Sequence, residues 1–410
     1  MNFSKRLQEF IKLEAGSGVV LLFVLAIALI IANSPLYSYY LAFIDLPIQI
    51  RVGTFNLEKS ALLWVNEFLM AIFFMLLALE IKREIAEGEL SNRSQLSLPV
   101  IAAVGGIAIP GLIYYVFNYG NSVTVLGWPI PTTTDIAFVL CVVALLGDRV
   151  PTNLKVFVVA LSIVDDILAI IIIGAIYTSS LSIAALGLAT AGILTLILLN
   201  RLGVKRVAPY MLIGIFIWVG VLESKIHATI AGVIIGMLIP LRTKDGTSYS
   251  PLRRLERMLH PWVAYFILPT FVFFNGGIPF KGFTISGLFL PVPLGIMLGL
   301  FVGKSIGVFT VSWLVIKSGL ARLPSGSNWP QLFAVSTLTG IGFTMSLFLS
   351  ALAFNGTLYE DTSRQGVIVG SILSTILGVS IFIIVGKKRR TKNHNHSAIT
   401  EVPTKAESQS

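Results

Sequence analysis

The chain has 410 residues, 55% apolar and only 12% charged, with a net charge of +10. Soluble domains carry about 25% charged residues, so a water-soluble enzyme or binding domain is excluded and a membrane-embedded chain is indicated. The single cysteine, Cys141, allows no internal disulfide and no cysteine-based metal cage.

Apolar runs long enough to cross about 30 Å of hydrocarbon recur throughout, separated by short polar or Gly/Pro-marked turns. Twelve are expected, giving an all-α polytopic membrane protein: 16–32, 61–80, 98–116, 125–146, 154–176 and 181–199, then 207–221, 226–241, 262–274, 294–316, 332–354 and 367–385. Residues 1–386 thus form a single transmembrane domain.

The first run follows Lys5, Arg6 and Lys12 as a signal peptide would, but it is longer than a signal core and no small-residue cleavage site follows, so it reads as a retained anchor. Beyond it, Ile48, Ile50 and Val52 alternate with Gln49 and Arg51, and Phe55 and Leu57 alternate with Asn56 and Glu58 after Gly53-Thr54. This alternation predicts a small outside β-hairpin at about 45–58, an irregular loop being the alternative. Its unpaired edges can join a second copy in a homodimer.

The second run ends in Glu80, Lys82, Arg83 and Glu84, and the ninth opens with an amphipathic stretch from Pro251 carrying Glu256, Arg257 and His260 on the same side. Such a cluster can attract cations and titrate collectively, although ordinary solvated helix ends explain it equally. His227, at the start of the eighth run, can titrate near neutral pH or be a packed bystander.

Charges inside the spans carry the chemistry, since each costs about 2.5–3.5 kcal/mol at the bilayer centre and must face a cavity or a partner. In the fourth run, GWPIPTTTDIAF, Pro129 and Pro131 remove backbone donors and predict a helix broken in mid-membrane. Asp135 there can offset the positive end of the second half-helix, or merely cap it, and Thr134 offers an oxygen near the ion path. Asp165 and Asp166 lie half-way along the fifth run and, being about 100° apart, cannot point at the same spot. One can pair with a buried cation such as Lys304 of the tenth run while the other faces water and a hard ion. Lys304 is then either a permanent structural partner or a group that itself releases a proton. The eleventh run is interrupted at Gly340 and Gly342. Each suspected break is the middle member of a triplet, as an inverted repeat with a midplane ion site predicts, although glycines also serve close packing.

Lys and Arg mark the cytoplasmic side. With the N-terminus inside, inner segments hold 24 of the 30 basic residues; the outer loops hold Arg51, Lys59, Lys225, Lys281 and Arg364. Both termini are therefore expected in the cytoplasm, and the positive charge calls for no nucleic-acid partner. The charged, then Ser/Thr-rich tail 387–410 is expected to be disordered.

The motifs TTTDIAF, SIVDDILAIIII, LALEIKRE, HATIAGVIIG, RLERMLHPWVAY, GKSIG and GIGFTMSLF together resemble the NhaA-type sodium/proton antiporters of bacterial inner membranes, in the same order from the first run to the twelfth. The resemblance implies twelve helices, the fourth and eleventh crossing at unwound centres. It implies that Asp165 and Asp166 are the ion- and proton-binding pair, Asp166 the more direct sodium ligand, with Asp135 and Thr134 supporting the crossing and Lys304 partnering Asp165. It makes Glu80, Arg83, Glu84, Glu256 and Arg257, with His227, the pH-sensing candidates, and the hairpin a dimer contact. It further implies a secondary transporter, not an enzyme, that expels Na+ or Li+ electrogenically against incoming H+ and needs no cofactor. The chain departs from the family pattern at Glu67, where Asp is common, at Arg257, where His is frequent, and at Ser305, where Pro is usual; these departures bear on the pH profile. An intramembrane aspartyl protease would need facing aspartates on two helices, whereas Asp165 and Asp166 are adjacent. A coupled carrier of an organic solute is the other alternative, and solute-uptake assays separate it.

Overall fold

The computed structural model describes residues 3–53, 55–88, 93–177, 182–224, 226–242, 249–280 and 284–400. The helices are α1 (Phe3–Ala32), α2 (Tyr37–Ile44), α3 (Ala61–Glu87), α4 (Arg93–Asn118), α5 (Ile136–Leu146), α6 (Thr152–Ile176) and α7 (Ile183–Arg201). They continue as α8 (Val207–Glu223), α9 (Thr229–Leu238), α10 (Pro251–Gly276), α11 (Pro291–Lys317), α12 (Trp329–Leu338), α13 (Phe343–Phe354) and α14 (Glu360–Thr400). Among the described residues eight helices are long and apolar enough to cross a membrane, or ten if the bent pairs α1–α2 (116°) and α12–α13 (41°) each count as one; α8 and α9 are shorter apolar helices. The protein is a multi-pass membrane protein. Lys225 and Lys281, assigned to outer loops by charge, lie outside the described residues.

The hairpin forms as its alternation predicts. Strands β1 (Pro47–Val52) and β2 (Phe55–Ser60) pair antiparallel, with Ile48 opposite Lys59 and Ile50 opposite Leu57. Gly53 takes φ +61°, the left-handed conformation a tight turn requires. The Trp64 indole donates to the Ile48 carbonyl at 3.2 Å and ties the hairpin to α3.

Small residues set the helix packing, since in lipid close backbone approach replaces hydrophobic burial as the driving force. A Cβ on Gly232 would lie 1.9 Å from the Ala71 carbonyl oxygen and one on Gly236 2.7 Å from that of Met75, so α9 lies directly on α3. Between α4 and α11, Gly105 and Gly307 face each other, and Gly303 abuts Pro110. Phe348 of α13 contacts Phe74 of α3 and Phe271 of α10 at ring separations of 5.3 and 6.1 Å, joining three spans in the core.

Two features were not legible in the sequence. Three π-turns, at Val65–Leu69, Val263–Ile267 and Gly299–Lys304, interrupt α3, α10 and α11. The last helix also continues to Thr400, past the point where the tail was expected to lose regular structure, because extending an existing helix costs far less than starting one. Residues 401–410 lie outside the described residues.

Candidate functional site

Both expected breaks occur, and they meet. The fourth run is two short 3₁₀ turns, Thr124–Gly127 and Ile130–Thr132, then extended backbone from Thr133 to Asp135 before α5 begins. Pro129 and Pro131 account for this, since neither can donate to a continuing helix. The eleventh run opens between α12 and α13 at Thr339, Gly340, Ile341 and Gly342. A Cβ on Gly342 would lie 2.2 Å from the Ser346 hydroxyl, and one on Gly340 2.3 Å from the Leu300 carbonyl oxygen, so only glycine fits so close an approach.

Backbone groups released by one break are satisfied by the other. The Asp135 amide donates to the Ile341 carbonyl at 2.7 Å, and the Thr134 hydroxyl lies 2.9 Å from the Thr339 carbonyl. The Asp135 carboxylate accepts at Oδ1 from the Phe138 amide (3.2 Å) and at Oδ2 from the amide and hydroxyl of Thr344 (2.8 and 2.5 Å). It thus caps the N-termini of α5 and α13 at once, offsetting two positive helix ends. Thr344 was not singled out from sequence; the available signal was a hydroxyl in the first turn after a glycine break. Ser346, also missed, donates to the Ile130 carbonyl at 2.7 Å and contacts the Thr133 hydroxyl at 3.2 Å.

Beside this crossing stand the two aspartates of α6. Asp165 is 1% exposed; the Lys304 ammonium, fully buried at the end of the α11 π-turn, donates to its Oδ2 at 2.5 Å. Thr134 donates to the same oxygen at 2.7 Å, while Oδ1 is buried without a hydrogen-bond partner. Asp166 is 4% exposed and receives no hydrogen bond or ion pair from any described residue. The negative charges of Asp165, Asp135 and Glu80 and the positive charge of Lys304 all act on it. The structure therefore brings Thr134, Asp135, Asp165, Asp166 and Lys304 together, with the two aspartates in different surroundings as their 100° offset requires.

Such a set can neutralise one carboxylate internally while leaving the other to take a proton or a hard monovalent cation. An apolar groove of about 810 Å³ lined by Ile107, Gly111, Trp128, Leu168 and Ile176 lies between α4 and α6 and includes neither aspartate.

The surface cluster is a separate assembly. Arg83 bridges α3 to α10, its Nε meeting both Glu256 oxygens at 2.9 and 3.1 Å and its Nη1 meeting Glu84 at 2.5 Å. Glu87 extends it by pairing with Arg242 at 3.0 Å and with Arg253. Sequence reasoning missed Glu87, although Glu80, Glu84 and Glu87 recur at helical spacing along one face. Lys82 instead caps the end of α9, donating to the Met237 and Ile239 carbonyls at 2.8 and 2.7 Å. Arg257 stands apart on the exposed face of α10, its Nε donating to the Arg253 carbonyl at 3.3 Å. His227 is elsewhere, with Nδ1 2.7 Å from the Thr229 hydroxyl and its ring 5.6 Å from that of Phe348.

Comparison with known proteins identifies the family. A family model described as Na+/H+ antiporter 1 matches residues 8–382. A protein named Na(+)/H(+) antiporter NhaA from Aeromonas salmonicida (strain A449) is 53% identical over 374 residues, covering 90% of this chain and 94% of that protein. One of the same name from Yersinia pestis is 48% identical over 386 residues, covering 94% and 98%. With the matched region running from the first span into the last, the chain belongs to the Na+/H+ antiporter 1 family.

Proposed function

We propose that this Na+/H+ exchanger exports Na+ or Li+ from the cytoplasm in return for external H+, by competition for one carboxylate site formed by Asp165 and Asp166. The observation that carries the reading is Asp166, a carboxylate 4% exposed with no donor from any described residue, one position from an Asp165 already neutralised by Lys304. An ionised carboxylate in that setting carries a desolvation penalty of several kcal/mol, which a proton or a dehydrated cation removes. Both cannot do so at once, and this exclusion is the coupling.

Facing the cytoplasm, the pair loses protons and takes the cation; facing outward, protons displace it, as alternating access requires. Asp135 and Thr134 support the crossing throughout, and Lys304, which balances Asp165 before the cation enters, releases a proton when the cation binds the pair and regains it on displacement, so that Asp166 and Lys304 together return two protons per cation. More protons enter than Na+ leaves, so the exchange is electrogenic, each net charge gaining about 2.3 kcal/mol per 100 mV. The basic inner loops support a bacterial inner-membrane orientation with both termini cytoplasmic. Glu80, Arg83, Glu84, Glu256 and Arg257 are the groups through which pH sets activity, whereas His227, packed against Thr229 and Phe348 away from them, is a bystander; β1–β2 is the contact of a homodimer. No cofactor takes part.

The test is Na+-driven proton movement in everted membrane vesicles, followed with a pH-sensitive dye at several pH values. Dequenching by Na+ or Li+ is expected for the native chain and is lost in Asp166→Asn. Absence of any response by the native protein, with the chain present in the membrane, would reject the reading and favour an organic-solute carrier.

A further inference from the structure

Carboxylate exchange leaves one buried polar group of α6 without a role. Ser162 is 0% exposed, and its hydroxyl has no hydrogen-bond partner among the described residues. A hydroxyl inside a helix ordinarily donates to the carbonyl one turn back, as Ser305 does to Phe301, Ser336 to Leu332 and Thr337 to Phe333 at 2.5, 2.9 and 3.0 Å. Ser162 makes no such bond to Val158. A buried hydroxyl left in this way carries a desolvation penalty that a ligand would remove.

Its position on the helix indicates what that ligand is. At about 100° per residue, Ser162 falls between the two aspartates in projection, about 60° from Asp165 and about 40° from Asp166. Helical side chains lean toward the N-terminus, so both carboxylates lean back toward the turn that Ser162 occupies. The corresponding position one turn further on is Ala169, which offers no side-chain oxygen. Among the described residues seven buried side-chain nitrogen and oxygen atoms lack a partner, and two of them, Ser162 Oγ and Asp165 Oδ1, fall in this one turn beside Asp166. Neighbouring oxygens with unmet lone pairs are what a hard cation stripped of water needs.

We propose that Ser162 Oγ is a third ligand of the transported cation, completing with Asp165 and Asp166 a site on one turn of α6, and that it biases this site toward Na+. The inference rests on the reading of Asp165 and Asp166 as the exchange site. The serine can turn its O–H to the Val158 carbonyl and its lone pairs to the ion, so it contributes an uncharged oxygen for which protons do not compete. Na+ is larger than Li+ and takes more ligands, so the presence of this oxygen changes their relative affinity.

Isothermal titration calorimetry of the full chain in detergent at alkaline pH, with NaCl or LiCl replacing choline chloride at constant ionic strength, tests this. Ser162→Ala is expected to raise the Kd for Na+ roughly tenfold, the loss of one contact to a charged group, and the Kd for Li+ by less. Ser162→Cys keeps the volume but offers a sulfur too soft for these ions, so its Kd values should follow those of Ser162→Ala. Ser162→Thr keeps the hydroxyl and should stay near the native values; should its added methyl unfold the protein, the agreement of the alanine and cysteine variants decides. A native Kd for Na+ in Ser162→Ala or in Ser162→Cys, or losses of Na+ and Li+ affinity in equal proportion, would overturn the assignment. Asp166→Asn separates the two readings. Native Na+ binding in Asp166→Asn rejects the carboxylate site itself, whereas binding lost in Asp166→Asn but native in Ser162→Ala rejects the role of Ser162 alone.

Discussion

Asp135 shows how much one residue carries at the crossing, accepting three hydrogen bonds from the first turns of two helices. Asparagine keeps one acceptor but turns an N–H toward the other helix end, whereas alanine removes both. Asp135→Ala is therefore expected to lower stability by roughly 2–4 kcal/mol and Asp135→Asn by about half of that, read as thermal unfolding in detergent. The buried Lys304–Asp165 pair makes a different prediction. Removing only the ammonium strands a charge in a dry interior, so Lys304→Ala should cost about 3–5 kcal/mol. Neutralising both in Asp165→Asn/Lys304→Gln should recover part of that loss, and the double variant melting below Lys304→Ala would contradict this account.

At the scale of elements, glycine separates contact from propensity. Gly232→Ala drives a methyl into the Ala71 carbonyl and should destabilise by about 1–3 kcal/mol or more, while Gly187→Ala on α7 meets nothing within 4 Å and should stabilise by up to about 1 kcal/mol. Paired thermal melts distinguish the two. The same contrast explains what could be read beforehand. Apolar run length located the helices, and Pro129, Pro131, Gly340 and Gly342 located the breaks, because both signals are local. The π-turns left no such mark; each adds one residue to a turn without changing the apolar pattern on which the reading relied. The 116° corner after α1 was missed because Asn33, Ser34 and Pro35 also suit an ordinary loop. At the site, charge in an apolar run identified Asp135, Asp165, Asp166 and Lys304, but Thr344 and Ser346 are polar residues of a kind common in spans. Only the meeting of two segments some 200 residues apart gives them a role.

For the whole molecule, the Arg83–Glu256 cluster and the hairpin are the parts that tie separate regions together. Arg83 and Glu256 join α3 to α10, so Arg83→Glu should shift the pH dependence of exchange, and Arg83→Glu/Glu256→Arg should move it back toward the native profile in the vesicle assay. If β1–β2 forms the proposed homodimer contact, a short Gly/Ser link in its place should leave a monomer by native mass spectrometry, where the native chain gives a dimer, while Na+/H+ exchange continues. The shared cap at Asp135 also bears on how the protein is made. Its partner Thr344 lies 209 residues later in the chain. At about 5–20 residues per second, the ribosome delivers that partner roughly 10–40 s after Asp135 has entered the bilayer. For that interval a broken helix with one carboxylate oxygen unmet must wait in the membrane, so a nascent chain stopped before α13 should be a preferred substrate for membrane quality-control proteases.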